Sequence, residues 1–320
     1  MYTENWFACE LHCHTLHSDG DFSVPELISS AKSRHLDGIC LTDHNTMSGW
    51  DEAEDDALAI LKGIEWTTYF GHMKVLDCKE YVDWRDAEIH TIDKKISDVK
   101  SKGGVVGIAH PFQLGTPICT GGHWDYAVTK WENVSYIEVW SEGCPYLNEA
   151  NKKAIEMWHS LLDKGYKITA TFGRDWHRLK GNIYESACTY LLSDEEKLTP
   201  KGMKTAIEKG RTTVSIGPLF YAFTDSGKTM GDTIEEGKTV FNIVLGTNRI
   251  EKMGIKESIV PERIEVVSFE GEILSEVPSC TGKLELSAEK GKWYSFELWG
   301  SIDEKENCML AVTSPIYCGR

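Results

Sequence analysis

The sequence predicts an α/β domain followed by a small antiparallel β domain. Three observations carry this. Up to about Pro218, short β-like runs alternate with helical ones, the signature of βα units around a parallel sheet. Beyond Pro218 the helical period disappears and alternating runs separated by turn residues take over. The chain has 320 residues, of which 41% are hydrophobic and 26% charged, enough for one large or two ordinary globular units.

In order, FACELHCH reads as the first strand, and Ser23 caps a helix with Pro25 in its first turn and Leu27, Ile28 and Ala31 on one face. DGICLTDH is the second strand. WDEAEDDALAILKG reads as a helix, acidic at its start and ending at Lys62-Gly63, with the run Asp51 to Asp56 as its solvated first turn. IEWTTYF and HMKVLD follow as strands, then IDKKISDVKSKGG (helix), VVGIAHP and SYIEVW (strands), LNEANKKAIEMWHSLLDKG (helix) and YKITATFGRD (strand). At least six strands with intervening helices favour a barrel or a doubly wound sheet. The boundary divides the chain into residues 1–218 and 219–320. In the second part, Glu270-Gly271 is placed to turn a hairpin.

The 34 Lys and Arg against 50 Asp and Glu leave a net charge of −16, which repels a phosphate backbone, so nucleic acid is not the expected partner. No stretch approaches the roughly 20 apolar residues of a membrane helix, and the start lacks a basic and apolar leader pattern, so no membrane association and a cytoplasmic location are expected. The ten cysteines form no CxxC pair and are expected as reduced thiols. No GxGxxG, P-loop or GxSxG motif is present.

His12 and His14 stand two apart on a strand, so both imidazoles point to one side. An HxH pair alone is weak, but each later strand ends in a further ligand type: Asp19 in HSDG, Asp43-His44 in TDHN, Glu65 in GIEW, His72 in GHMK, His110 in AHPF, and Asp175 with His177 in GRDWH. In parallel α/β folds, ligands bind beyond the carboxyl ends of the strands. Imidazole mixed with carboxylate and no thiolate excludes a structural zinc cage and suits Zn, Mn or Fe in open sites. Two such ions would hold a hydroxide and clamp phosphoryl oxygens. His35, His90, His123 and His159 are expected to be structural, and Trp124, Trp131, Trp140, Trp158 and Trp176 to fill a core.

These motifs, HCHTLHSDG, LTDHNT, GIEW, IAHPF and GRDWH, resemble in order and spacing the PHP (polymerase and histidinol phosphatase) superfamily of metal-dependent phosphoesterases, over roughly residues 7–218. GIEWTTYFGHMKVLD, IEVW and the later TSPIY resemble its two-domain, CehA-like branch. The resemblance implies a distorted (β/α)7 barrel with two or three divalent ions at its carboxyl face, joined here to a C-terminal antiparallel β-sandwich-like domain. It implies His12, His14, Glu65 and Asp175 on a first metal, Glu65 bridging to a second on His110 and His72, and Asp19, His44 and His177 on a third. Glu65, Asp175 and His177 are then the catalytic set, and Asp43 supports ligands rather than binding metal. Four further residues face two readings each. His17 is a substrate contact or a solvated loop histidine. Glu138 faces the cluster and its substrate or stabilises the barrel. Arg174 and Arg178 are phosphate-binding forks, or Arg174 pairs with a barrel carboxylate and Arg178 is solvated. The expected function is hydrolysis of a small phosphorylated substrate by metal-activated hydroxide. The alternatives are a metal-dependent amidohydrolase or esterase, and a non-catalytic metal-binding module whose β domain makes the interaction.

Overall fold

Short apolar runs become strands, in a mixed α/β fold with one large sheet and few helices. The computed structural model describes residues 5–115, 122–142, 148–179, 185–255, 258–278 and 281–319. The first part contains β1 (Asn5–Cys13), α1 (Val24–Ser33), β2 (Gly38–Leu41), β3 (Ala59–Thr68), β4 (Gly71–Leu76), α2 (Ile92–Ser101) and β5 (Val105–Ile108). It continues with β6 (Tyr136–Ser141), α3 (Glu149–Asp163), β7 (Thr169–Gly173), β8 (Cys188–Ser193), α4 (Pro200–Lys209) and β9 (Thr212–Ser215). The capping box read from Ser23 forms: its hydroxyl accepts from Glu26 N, and the Glu26 carboxylate accepts from Ser23 N at 2.8 Å. α1 buries the apolar face expected of it, Leu27, Ile28 and Ala31, and α3 buries Ala154, Ile155, Trp158, Leu161 and Leu162.

Two expectations are corrected. WDEAEDDALAILKG is not a helix: its first half is turn, and from Ala59 it is β3, paired in parallel with β2. Asp55 Oδ1 accepts from the amides of Ala57 and Leu58, both at 2.8 Å, so the acidic run satisfies backbone donors locally and competes with helix formation. Nor is the sheet parallel throughout. β1–β2–β3 and β5–β6–β7 are parallel, but β4 runs antiparallel to both β3 and β5. Only Tyr69 and Phe70 separate β3 from β4, far too few residues for a crossover. Past β7, Trp176 N donates to His12 O at 2.9 Å and His14 N to Trp176 O at 3.0 Å, which brings the last strand of this run back to the end of the first.

The second part holds β10 (Leu219–Thr224), β11 (Thr233–Ile234), β12 (Gly237–Gly246), α5 (Asn248–Met253), β13 (Ile259–Val267), β14 (Ile273–Val277), β15 (Gly282–Ala288), β16 (Trp293–Ile302), β17 (Lys305–Thr313) and β18 (Ile316–Cys318). α5 departs from the all-strand expectation, although it is only six residues long. The hairpin at Glu270-Gly271 is present: both residues have positive φ, 58° and 70°, and β13 pairs antiparallel with β14. β10, β12 and β15 form a separate three-stranded sheet, whose Phe241 lies against Tyr294 and Phe296 of β16 at ring separations of 6.0 and 5.3 Å. The other sheet continues across position 218, because β17 pairs with β9 through Thr313↔Thr213, Val312↔Val214 and Ala311↔Ser215.

The seven described cysteines are free and buried. Burial pushes the Cys40 thiol up to about 12 and that of Cys188 to about 11, which makes them poor nucleophiles. Cys119, Cys144 and Cys280 lie outside the described residues. Trp124, Trp140, Trp158 and Trp176 are buried as core, and Trp131 packs partly buried against it. Among the described residues no helix is long and apolar enough to cross a membrane.

In the second part Glu297 is buried on β16, and burial pushes its carboxyl up to about 7; Glu265 adds to this, while Trp299 Nε1, donating at 3.0 Å, and Arg263 oppose it. The folded value lies above the ordinary 4.5, so folding favours the protonated form. That stabilisation is fully present below the unfolded value and is lost as pH rises through about 7. It amounts to at most about 3 kcal/mol for a difference of this size. Urea midpoints measured at pH 5 and pH 8 should therefore differ less in Glu297→Gln than in the wild type; an equal difference in both would exclude Glu297 as its source.

Candidate metal centre

The sheet order explains why the ligand types meet. Ends of parallel strands share one edge, so His12 and His14 at the end of β1, His44 past β2, His110 past β5, and Asp175 and His177 past β7 arrive together. His72 comes instead from the start of β4, because an antiparallel strand begins where its parallel neighbours end. Two of these positions carry backbone strain: His110 has φ 25° and Asp175 φ 52°, a conformation that residues with a Cβ rarely adopt.

Glu65 is the hub. Its Oε2 lies 3.2 Å from His12 Nε2 and 3.4 Å from His14 Nε2, and Asp175 Oδ1 lies 3.3 and 3.0 Å from the same two nitrogens. Its other oxygen, Oε1, lies 3.1 Å from both His72 Nδ1 and His110 Nε2. His44 Nδ1 lies 2.9 Å from Oε2 as well, so one oxygen faces His12, His14 and His44 and the other faces His72 and His110. At the rim, Asp19 Oδ1 lies 3.1 Å from His177 Nε2 and 3.4 Å from His44 Nε2. Three donor groups of the kind that holds a cation result: His12, His14, Glu65 and Asp175; Glu65, His72 and His110; and His14, Asp19, His44 and His177. A fourth consists of His12, His110 and Glu138.

Hydrogen bonding does not account for the first group. His12 Nε2, His14 Nε2, Glu65 Oε2 and Asp175 Oδ1 are all buried without a hydrogen-bond partner. Buried polar atoms left unpaired are costly, and four converging on one point fit a shared cation. Their separations of 3.0–3.4 Å match the edge of a tetrahedron of donors about 2.1 Å from a centre. Burial would lower the His12 imidazole, but Glu138, Glu65 and Asp175 outweigh it and raise it well above its ordinary value, so a cation at Nε2 would displace a proton. Burial would raise the Glu65 carboxyl, but the imidazoles of His12 and His72 outweigh it and hold it well below the usual range. Asp175 is likewise held low against burial by His12 and His14. Burial lowers His14 to about 4, which leaves it neutral with a lone pair to give.

The surroundings orient these groups. Asp43 accepts from Thr15 N at 2.7 Å, Thr15 Oγ1 at 2.8 Å and Ser18 Oγ at 2.7 Å, fastening the loop that carries Asp19; this is the supporting position expected of it. His44 Nδ1 is hydrogen-bonded to Thr67 Oγ1, and His177 Nδ1 to Asp175 O at 2.8 Å. Only glycine fits at 173, where a Cβ would stand 1.9 Å from Glu138 Oε1 and 2.7 Å from His12 Cβ.

The four substrate candidates fare differently. Glu138 has no exposed surface, and its oxygens hold His12 Nδ1 at 2.9 Å, His110 N at 3.0 Å and the Lys74 ammonium. Arg174 is buried at 4% exposure and bonds Glu10 Oε2 at 3.3 Å and the carbonyls of Glu185 and Ala187 at 3.1 and 3.0 Å. Arg178 is solvated, 3.9 Å from Asp21. His17 sits beside the rim between Ser48 Oγ and Glu52 Oε1, each at 2.9 Å. Two residues absent from the sequence-based set, Glu10 and Lys74, lie directly behind the candidate ligands. Each stands two positions from a ligand on the same strand, Glu10 before His12 and Lys74 after His72, so period-two spacing was the available signal. Of the other histidines, His35, His90 and His123 are exposed, and the His159 ring lies 4.9 Å from that of Trp293, tilted by 37°.

The PHP domain family matches residues 10–166. A two-domain protein from Bacteroides vulgatus containing a predicted PHP-like metal-dependent phosphoesterase shares the fold at a TM-score of 0.55 and 15% identity, over 98% of this chain and 96% of that one. The lesion-specific endonuclease PfuEndoQ from Pyrococcus furiosus is more distant, at a TM-score of 0.44 and 13% identity over 66% of this chain and 58% of its own. A 5'-3' exoribonuclease of Haemophilus influenzae is 38% identical over 63 residues, 18% of this chain and 23% of its own length. The chain therefore spans less than a quarter of that curated relative.

Proposed function

The chain carries a PHP domain, and from that premise we propose that it hydrolyses phosphate esters of small molecules with the help of two or three divalent ions, Zn, Mn or Fe. The convergence of four unpartnered buried donor atoms carries this reading. Bound ions would supply an activated water and positive charge for the phosphoryl oxygens. His12, His14, Glu65 and Asp175 would hold the first, and Glu65 with His72 and His110 the second. Asp19, His44 and His177 form the solvent-side group, Asp19 being 60% exposed, so substrate enters past them. The net charge of −16 favours a small substrate over a polyanion.

On this reading residues 1–218 form a distorted (β/α)7 barrel and residues 219–320 a β domain. The backbone bonds between β1 and the segment past β7 support the first, and the three-stranded sheet against β16 supports the second.

The test is an assay of metal-loaded and chelator-treated protein against phosphomonoesters, phosphodiesters, carboxyl esters and a short oligoribonucleotide. Chelator-sensitive hydrolysis of small phosphate esters is expected, read as phosphate released from monoesters and alcohol released from diesters. Turnover of carboxyl esters alone would move the reading to an esterase, and stoichiometric metal without any turnover would favour a binding module.

A further inference from the structure

Behind the ligands, away from solvent, lies a lysine with no exposed surface at all. Lys74 Nζ donates to Leu11 O at 3.1 Å and to Glu138 Oε1, and lies 5.3 Å from the Tyr136 ring centre. That Oε1 also pairs with His12 Nδ1 at 2.9 Å, while Oε2 accepts from His110 N at 3.0 Å. One ammonium thus backs a carboxylate that touches residues from both halves of the Glu65 hub. Burying an ammonium and a carboxylate together costs several kcal/mol of desolvation, and apolar residues of similar volume are often as stable or more so. Packing alone therefore gives no reason for the pair.

Its geometry supplies one. A carboxylate accepting from His12 Nδ1–H leaves the lone pair on Nε2, the atom that faces Glu65 and Asp175. The ammonium also bears on the fourth donor group, His12, His110 and Glu138, because a cation already sits against its only carboxylate.

We propose that Lys74 is a positioning residue for the metal centre: its ammonium holds Glu138 as the hydrogen-bond partner of His12 and of the His110 amide, and keeps that carboxylate out of the ligand set. The proposal rests on the metal-centre reading and is tested without substrate, by titrating Zn²⁺ or Mn²⁺ into metal-free protein in competition with a chelator. Lys74→Met alone strands the buried Glu138 charge and endangers the fold, so the main variant is Lys74→Met/Glu138→Leu, which removes both charges. It should keep a cooperative unfolding transition while binding its tightest metal about 10- to 100-fold more weakly, the usual cost of losing a partner behind a ligand. Lys74→Met/Glu138→Gln returns a neutral acceptor to His12 and should fall between the wild type and the leucine variant. It also serves where the leucine variant does not fold. Either folded double variant binding metal as tightly as the wild type would overturn the proposal. Wild-type protein that binds no metal would overturn the metal-centre reading beneath it.

Discussion

Glu65→Gln should remove at least one bound ion and lower phosphate-ester turnover by about 10³-fold or more, with the fold retained. The size follows from position. One Glu65 oxygen faces His12, His14 and His44, the other His72 and His110, so the side chain serves two donor groups at once. Glutamine keeps the shape but loses the negative charge and turns one oxygen into an N–H₂ donor, which meets imidazole nitrogens needed as lone-pair donors. Losing a Lewis-acid contribution of several kcal/mol corresponds to roughly 10³ in rate. His72→Asn, which removes a corner of one group only, should cost less. Elemental analysis alongside kinetics checks both, and full metal occupancy in Glu65→Gln would mean that the carboxylate does not bridge.

The ligand types were legible because their identity and spacing are local. HxH on a strand, the SDG and TDHN turns and the AHP and RDWH ends can each be read within a few residues, and each lands at the cluster. Less local features were not. Lys74 and Glu138 are 64 residues apart, and Glu10 and Arg174 are 164 apart, so nothing short-range in the chain announces either pair. The acidic run before β3 has helical composition, yet the turn at Asp55 and the pairing of β3 with β2 override it. The position of His72 was legible as a ligand type, but not its arrival from an antiparallel strand, which depends on the two-residue turn before β4. The continuity of the sheet from β9 to β17 joins residues about a hundred positions apart and leaves no mark on local pattern.

Arg174 shows how a motif-adjacent residue can face away from the chemistry. A guanidinium next to Asp175 fits a phosphate fork as well on spacing as it fits a structural pair; burial decides between them. Glu10 has no exposed surface, and besides Arg174 Nε it accepts from Arg174 N at 2.8 Å and His12 N at 3.1 Å. Arg174→Ala would leave this carboxylate buried without its counter-charge, and the Glu185 and Ala187 carbonyls without their guanidinium donor. Breaking a buried pair from one side costs about 3–5 kcal/mol, which corresponds to a loss of roughly 5–7 °C in unfolding temperature for a chain of this size. Arg174→Lys should fall between, because a single ammonium keeps the charge but cannot span the carboxylate and two carbonyls. Arg178→Ala, at a solvated side chain, should stay within about 0.5 kcal/mol of the wild type. Thermal and urea unfolding of the metal-free proteins separates the two roles: a phosphate fork predicts unchanged stability with impaired kinetics, whereas the buried pair predicts that stability is lost before substrate is ever added.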